Sequence, residues 1–297
     1  MALYMNGQEI SQSSGVPISG VGATEPYIEE IYNSDGQLIS VNMHGYDAIR
    51  SYMFSDCSNL ALTSLPSGIT SIGKNAFQNC TNLALNSLPS GLTSIGSNAF
   101  SGCTNLALTS LPSGITSISS YTFYSCSNLA LTSLPSSITS IGLGAFLNCS
   151  KLALTSLPSG ITSIGISVFE NCSNLALTSL PSGITSIGNN AFYSCTKLAL
   201  TSLPNGLTSI GRDAFYHCPN LALTSLPSGL TSIGNNAFEK CTGLTSITFT
   251  GTPTSIGNNA FSSCTNLTTI NVPWAEGAVA NAPWGATNAT IHYGYTG

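Results

Sequence analysis

The sequence predicts a repeat solenoid, β-dominated and built from 23-residue coils with short 3₁₀ or helical turns. Three observations carry this. Ten cysteines stand at one interval: Cys57, Cys80, Cys103, Cys126, Cys149, Cys172, Cys195, Cys218, Cys241 and Cys264. The text between them is nearly copied, and the apolar positions of each copy fall in the same places. A fixed period of this size marks units that bury their apolar residues only by stacking on neighbours.

The unit CSNLALTSLPSGITSIGKNAF, from Cys57 to Phe77, sets the elements in order. Leu60 and Leu62 alternate with polar residues, the period of a short strand with one buried face. Leu65-Pro66-Ser67-Gly68 places proline second and glycine fourth, as type I turns favour. Ile69-Thr70-Ser71-Ile72 is a second extended segment rich in β-branched residues. Gly73 ends it, and Asn75-Ala76-Phe77 reads as a tight turn before Cys80 opens the next coil. Stacking turns each apolar position into a ladder: Leu60 over Leu83 over Leu106, Phe77 over Phe100 over Phe123. The cysteines then form a column of parallel side chains, which do not point at one another as a disulfide requires. They read as buried free thiols filling small apolar sites.

The repeat combines Leu-x-Leu-x-x-Leu-Pro, Ile-Gly-x-x-Ala-Phe and a closing Cys, and it resembles the BspA-like, or Treponema pallidum-type, leucine-rich repeats. The resemblance covers roughly residues 37–272 and implies a leucine-rich-repeat solenoid there. Two units depart from the pattern. LTSITFTGTPTSIG has apolar Leu244, Ile247 and Phe249, with Thr250 in place of proline. In the degenerate first unit, Leu38, Ile39, Val41 and Met43 suggest an atypical capping strand, as an open stack requires. Residues 1–36, rich in Gly, Ser and Pro with Glu25, Glu29, Glu30 and Asp35, read as an extended arm or attachment segment, with a disordered leader as the alternative. Residues 273–297 hold both tryptophans, Trp274 and Trp284, which suit a cap or an interface. The segment LTTINVPWAEGAVANAPWGATNATI resembles a terminal module that follows such repeats in tail and tail-fibre proteins of phages from gut bacteria.

Composition narrows the function. Charged residues make up 6% of the chain, with Lys+Arg numbering 6 in 297 and a formal charge of −5. That is too little positive charge for a phosphate-neutralising face, so nucleic acid is not an expected partner. No apolar run reaches the ~18 residues of a membrane helix, so no membrane insertion is expected. The amino terminus has neither a basic n-region nor an apolar h-region. The expectation is therefore synthesis in a reducing cytoplasm and, with the phage resemblance, a place in a virion. A signal peptide already removed would instead place the chain at a cell surface.

Chemistry finds no foothold. His44, His217 and His292 are singletons, and no C-x₂-C or His/Cys cluster offers a metal site. Glu170, Asp213 and Glu239 are not paired for acid–base work, so no cofactor and no enzyme are expected. The threonine ladder from Thr70 to Thr254 resembles ice-binding arrays, yet adjacent Thr and Ser face opposite sides, and hydroxyls bonding one another and water explain it better.

Variation between units gathers on one arc, around the residues after Ile-Gly and those flanking each Cys. Charges there include Lys74, Lys151, Glu170, Lys197, Arg212, Asp213, Glu239 and Lys240; large side chains include Leu143 and Ile166. Solvated loops drift freely, which is the plain explanation. The sharper one is a recognition ridge of Tyr121, Tyr124, Leu147, Tyr193, Arg212 and Tyr216, because tyrosines give contact area at low entropic cost. The expected role is a non-enzymatic tail or fibre component displaying this ridge to a protein or glycan on a cell surface. The alternatives are a bacterial surface adhesin and a self-assembling structural element that forms a homo-oligomer with no ligand.

Overall fold

A computed structural model describes residues 4–5, 8–9 and 26–296. It is a solenoid of 23-residue coils, with parallel pairing in register from one coil to the next, Ile72 beside Ile95 and Ile187 beside Ile210. Most of the first 25 residues of the arm lie outside the described residues; within them Tyr4–Met5 and Gln8–Glu9 pair antiparallel.

The described chain enters through an antiparallel hairpin of Tyr27–Tyr32 and Leu38–His44. The second strand contains Leu38, Ile39, Val41 and Met43, and the Ile39 carbonyl accepts the Ala61 amide at 2.8 Å, joining hairpin to first coil. The expected boundary at residue 36 falls in the turn of this hairpin, so the acidic segment from Glu29 is paired to the solenoid's first strand.

Each coil is stitched along three sides. On the first, two-residue strands such as Ser71–Ile72 and Ser94–Ile95 pair in parallel, with serine outward and isoleucine buried. Threonine hydroxyls reinforce it by donating to the preceding coil, Thr93 Oγ1 to Thr70 O at 3.1 Å and Thr254 Oγ1 to Thr231 O at 2.8 Å. Glycine follows the isoleucine in most coils because coil backbones nearly touch there: a Cβ on Gly96 would lie 2.5 Å from Lys74 N.

The second side, Leu60 to Leu62 and its counterparts, differs from the sequence expectation. In the middle coils it is extended but not a strand, with one backbone bond per coil, as from Ala84 N to Leu62 O at 3.1 Å. The apolar spacing differs: the middle coils read Leu-x-Leu-x-x-Leu, whereas the paired ones, Leu244-x-x-Ile247-x-Phe249 and Leu267-x-x-Ile270-x-Val272, alternate as a strand does. Proline at the end of each middle segment also removes one N–H from a ladder. Where Thr250 replaces it, the amide donates to Leu226 O at 3.3 Å. A true sheet then opens through Ser225–Leu226, Ser246–Phe249, Thr269–Val272 and Thr290–Tyr293.

The third side is the turn arc. Its i→i+3 bonds, Gln78 N to Asn75 O at 3.2 Å and Cys80 N to Phe77 O at 3.1 Å, are of 3₁₀ type. Left-handed residues at Asn75 (φ 57) and Asn79 (φ 58) interrupt them, so no helix forms among the described residues. The arc donates forward, Asn75 N to Ser97 O and Phe77 N to Ala99 O, whereas the isoleucine side donates backward, as from Gly96 N to Ile72 O.

Inside, rings from Phe54 to Phe261 stack with centroids 5.3–5.7 Å apart. Each thiol from Cys80 to Cys264 donates to the phenylalanine carbonyl of an earlier coil, as Cys80 to Phe54 O at 2.9 Å and Cys172 to Phe146 O at 3.1 Å. All ten cysteines are free.

Candidate recognition surface

Side chains leave the turn arc because the backbone there alternates. Phe and Cys point inward, and the residue after each Phe lies at the surface, half-buried except at Ser101, which is buried. That column reads Gln78, Ser101, Tyr124, Leu147, Glu170, Tyr193, Tyr216 and Glu239. Glu170 stands between Leu147 and Tyr193, so the expected single ridge resolves into two clusters.

The first cluster lies on the coils of Tyr121 to Ile166. Tyr121 sits at a left-handed position (φ 56) that asparagine holds in most other coils. A bulky residue there costs on the order of 1–3 kcal/mol. Its ring rests over Gly144, where an added Cβ would lie 2.7 Å from the Tyr121 Cδ1. Tyr121 and Tyr124 meet edge to face, with centroids 6.0 Å apart at 87°. Leu143 and Ile166 stand 40% and 50% exposed beside them, and Leu147 is half-buried. Gly144, which seats the ring, is absent from the predicted ridge; its signal is one glycine in the asparagine column, one coil after a tyrosine.

The second cluster is a closed stack. Tyr193 and Tyr216 lie face to face, centroids 4.7 Å apart and 4° from parallel. Lys240 covers the far face of Tyr216, with Nζ 4.7 Å from the ring centre, and also donates to its hydroxyl. That hydrogen bond is the leading cause that raises the lysine pKa. Partial burial first, then the neighbouring Tyr216, pushes the Tyr193 hydroxyl up. Arg212 Nε reaches Asp213 Oδ2 at 2.8 Å, and Asn236 donates to Asp213 Oδ1 at 3.0 Å. Both faces of Tyr216 are therefore occupied, and that ring offers its edge rather than an open face.

The repeat that builds this surface is also diagnostic of family. The model of the BspA type leucine rich repeat region matches residues 47–176 and 162–277, in 6 copies. The chain is a BspA-type leucine-rich repeat protein. A leucine-rich repeat protein from Eubacterium ventriosum ATCC 27560 shares the fold, with TM-score 0.52 and 19% identity over 92% of this chain and 85% of that one. One from Bacteroides ovatus ATCC 8483 is 25% identical over 83% of this chain and 75% of its own, with TM-score 0.49. The T. pallidum leucine rich repeat protein is 29% identical over 58% of this chain and 87% of its own, with TM-score 0.46. No curated protein matches the sequence.

In this BspA-type solenoid the two tryptophans are interior. Trp284 is 1% and Trp274 6% exposed, and both pack on Phe249 with centroids 6.1 and 5.1 Å away. The Trp284 carbonyl accepts the Phe261 amide at 3.0 Å, the bond that the Ala260 carbonyl gives Phe238 one coil earlier. Residues 273–296 thus continue the stack as a last, irregular coil, and the indoles face its core.

Burial pushes the Cys57 thiol up to about 11 and that of Cys264 to about 12, and drives the enclosed thiols higher, so all are protonated at neutral pH. No group of three His, Cys, Asp or Glu is gathered to hold a metal among the described residues. His217 is exposed, and His44 stacks on Tyr27 at 4.4 Å. A groove of about 290 Å³ runs past Ser110, Leu111, Ser133, Leu134 and Ser137, without a titratable side chain on its walls. No helix is long and apolar enough to cross a membrane among the described residues.

Proposed function

We propose that this protein is a non-enzymatic recognition protein that presents its turn arc, from Tyr121 to Lys240, to a protein or glycan on a cell surface. One observation carries the reading. In the copied coils that follow the first, the exposed large apolar side chains are Leu143 and Ile166, on one arc of adjacent coils, and Tyr121 keeps its place on that arc in a backbone conformation unfavourable to tyrosine.

The finer reading is a phage-like tail or fibre component. Its support is the resemblance of residues 267–291 to the terminal module of such proteins. Membership of the BspA-type family supports the alternative, a bacterial surface adhesin.

Counting labelled protein bound to a panel of intact gut bacteria, with fibronectin-coated surfaces alongside, tests both. Saturable binding to a few strains, reduced at least about tenfold in a Tyr121→Ser, Leu143→Ser, Ile166→Ser variant, is the expected result. Binding to matrix alone would favour the adhesin. Binding that survives this variant and also Tyr193→Ser with Tyr216→Ser would remove the arc from the proposal. No binding to any surface would leave a self-assembling structural element.

A further inference from the structure

The parallel strands on the isoleucine side do not run unbroken. Pairing stops between Ile95 and Ile118 and again between Ile141 and Ile164. The column before each phenylalanine shows why. It holds buried Ala76, Ala99, Ala145, Ala191, Ala214, Ala237 and Ala260, and every coil that brings an alanine is paired to the coil before it. Met53 opens the column in the first coil; the other members, Thr122 and Val168, are both fully buried, and theirs are the coils where pairing stops. A β-branched residue needs volume that the close approach of coils does not leave.

Local geometry agrees at each break. At the first, Ser119 replaces the glycine that follows isoleucine, and its Cβ stands where coil backbones nearly touch. Ser119 Oγ donates to Ile95 O at 2.8 Å, standing in for the backbone bond that Gly96 makes to Ile72 O. At the second, a Cβ on Gly165 would find Val168 Cγ2 at 3.5 Å and Ile141 O at 3.8 Å, whereas on Gly142 it would strike Ser120 N at 2.5 Å. The coils stand apart there. The other two sides stay closed: Phe100 N bonds Thr122 O at 2.9 Å and Phe146 N bonds Val168 O at 3.0 Å along the arc. Ala107 N to Leu85 O at 3.2 Å and Ala153 N to Leu131 O at 3.1 Å hold the leucine side.

We infer that the solenoid contains two built-in hinge planes, set by Ser119 with Thr122 and by Val168, which open on the isoleucine side while the other two sides stay tied. The coils between them carry Tyr121, Tyr124, Leu143 and Leu147, and Ile166 lies just beyond the second plane. Gly144 N bonds Ile166 O at 3.1 Å on the tied arc, so bending there tilts the coil of Leu143 against that of Ile166, and the exposed apolar cluster adjusts in orientation while the coils on either side remain stiff.

Residue-resolved amide hydrogen exchange on the full chain tests this. The amides of Thr116, Ser119, Thr162 and Gly165 are expected to exchange at least about tenfold faster than those of Thr139, Gly142, Thr185 and Gly188. Equal protection in the two sets would overturn the proposal. A Ser119→Gly, Thr122→Ala, Val168→Ala variant copies the other coils and should slow all four amides to the level of the second set. If it folds and they stay fast, the steric cause is wrong. The converse change, Ala191→Val, should open a third plane at Thr185 and Gly188. Should that variant fail to fold, the comparison within the unmodified chain still decides.

Discussion

Two columns run side by side through this molecule, one residue apart in sequence. Phe77, Phe100, Phe123, Phe146, Phe169, Phe192, Phe215, Phe238 and Phe261 never change; their successors, from Gln78 to Ser262, include Ser, Tyr, Leu and Glu. The difference is one of partners. Each phenylalanine from Phe77 to Phe238 is fully enclosed between copies of itself in the coils above and below, so only another ring of the same shape fits the offset stack. Its successor meets solvent on one side and a variable neighbour on the other, and almost any residue is accommodated. A solenoid thus fixes its inner columns by self-matching and frees its outer ones.

The largest expected effect on that contrast is alkaline unfolding through the cysteine column, which lies inside with the phenylalanines. Below the unfolded value of 9.0 the thiols are protonated in both states, and stability is flat with pH. Above it the unfolded chain releases protons that the folded chain retains, up to about 11 at Cys57 and about 12 at Cys264. Each enclosed thiol then favours unfolding by about 1 kcal/mol per pH unit, and nine are buried. Melting followed by circular dichroism should show a Tm constant to about pH 8.5 and cooperative loss of the fold by about pH 10. Replacing Tyr193 and Tyr216 with serine should leave that midpoint in place. A fold that persists to pH 11 would break the contrast.

Next in size is a pair of neighbouring substitutions. Phe192→Ala should cost about 3–5 kcal/mol in urea denaturation, as cavity formation in a close-packed stack does. Tyr193→Ser, one residue on, should cost less than about 1 kcal/mol. Similar costs at both positions would mean that the outer column also holds the solenoid together.

The smallest effect has the opposite sign. Tyr121→Asn restores the residue that other coils hold at this left-handed position and should raise stability by about 1 kcal/mol while weakening surface binding. A loss of stability would show that packing on Gly144 outweighs the backbone cost and that the tyrosine is there for the fold.

Much of this was legible in one dimension, and the exceptions have physical causes. The period, the inward Leu, Ile, Phe and Cys, and the free thiols could be read directly, because each column repeats one environment. The Leu60–Leu62 strand could not, because Leu-x-Leu-x-x-Leu does not keep the alternation of a strand through the segment, as Leu244-x-x-Ile247-x-Phe249 and Leu267-x-x-Ile270-x-Val272 do where the sheet forms. The tyrosine column was readable as a line, but not its division into an open cluster at Tyr121 and a closed stack at Tyr193. That division depends on Gly144 making room for one ring and on Lys240 covering another.

By itself the sequence determined the solenoid, its 23-residue frame, its core and the arc along which it varies, since a repeated pattern has one way to bury its apolar faces. Only the tertiary structure decided what small departures do. Thr122 and Val168 look like conservative exceptions to alanine, yet each stands where the spacing between coils leaves room for a single methyl group, and there the volume of two more heavy atoms parts the strands.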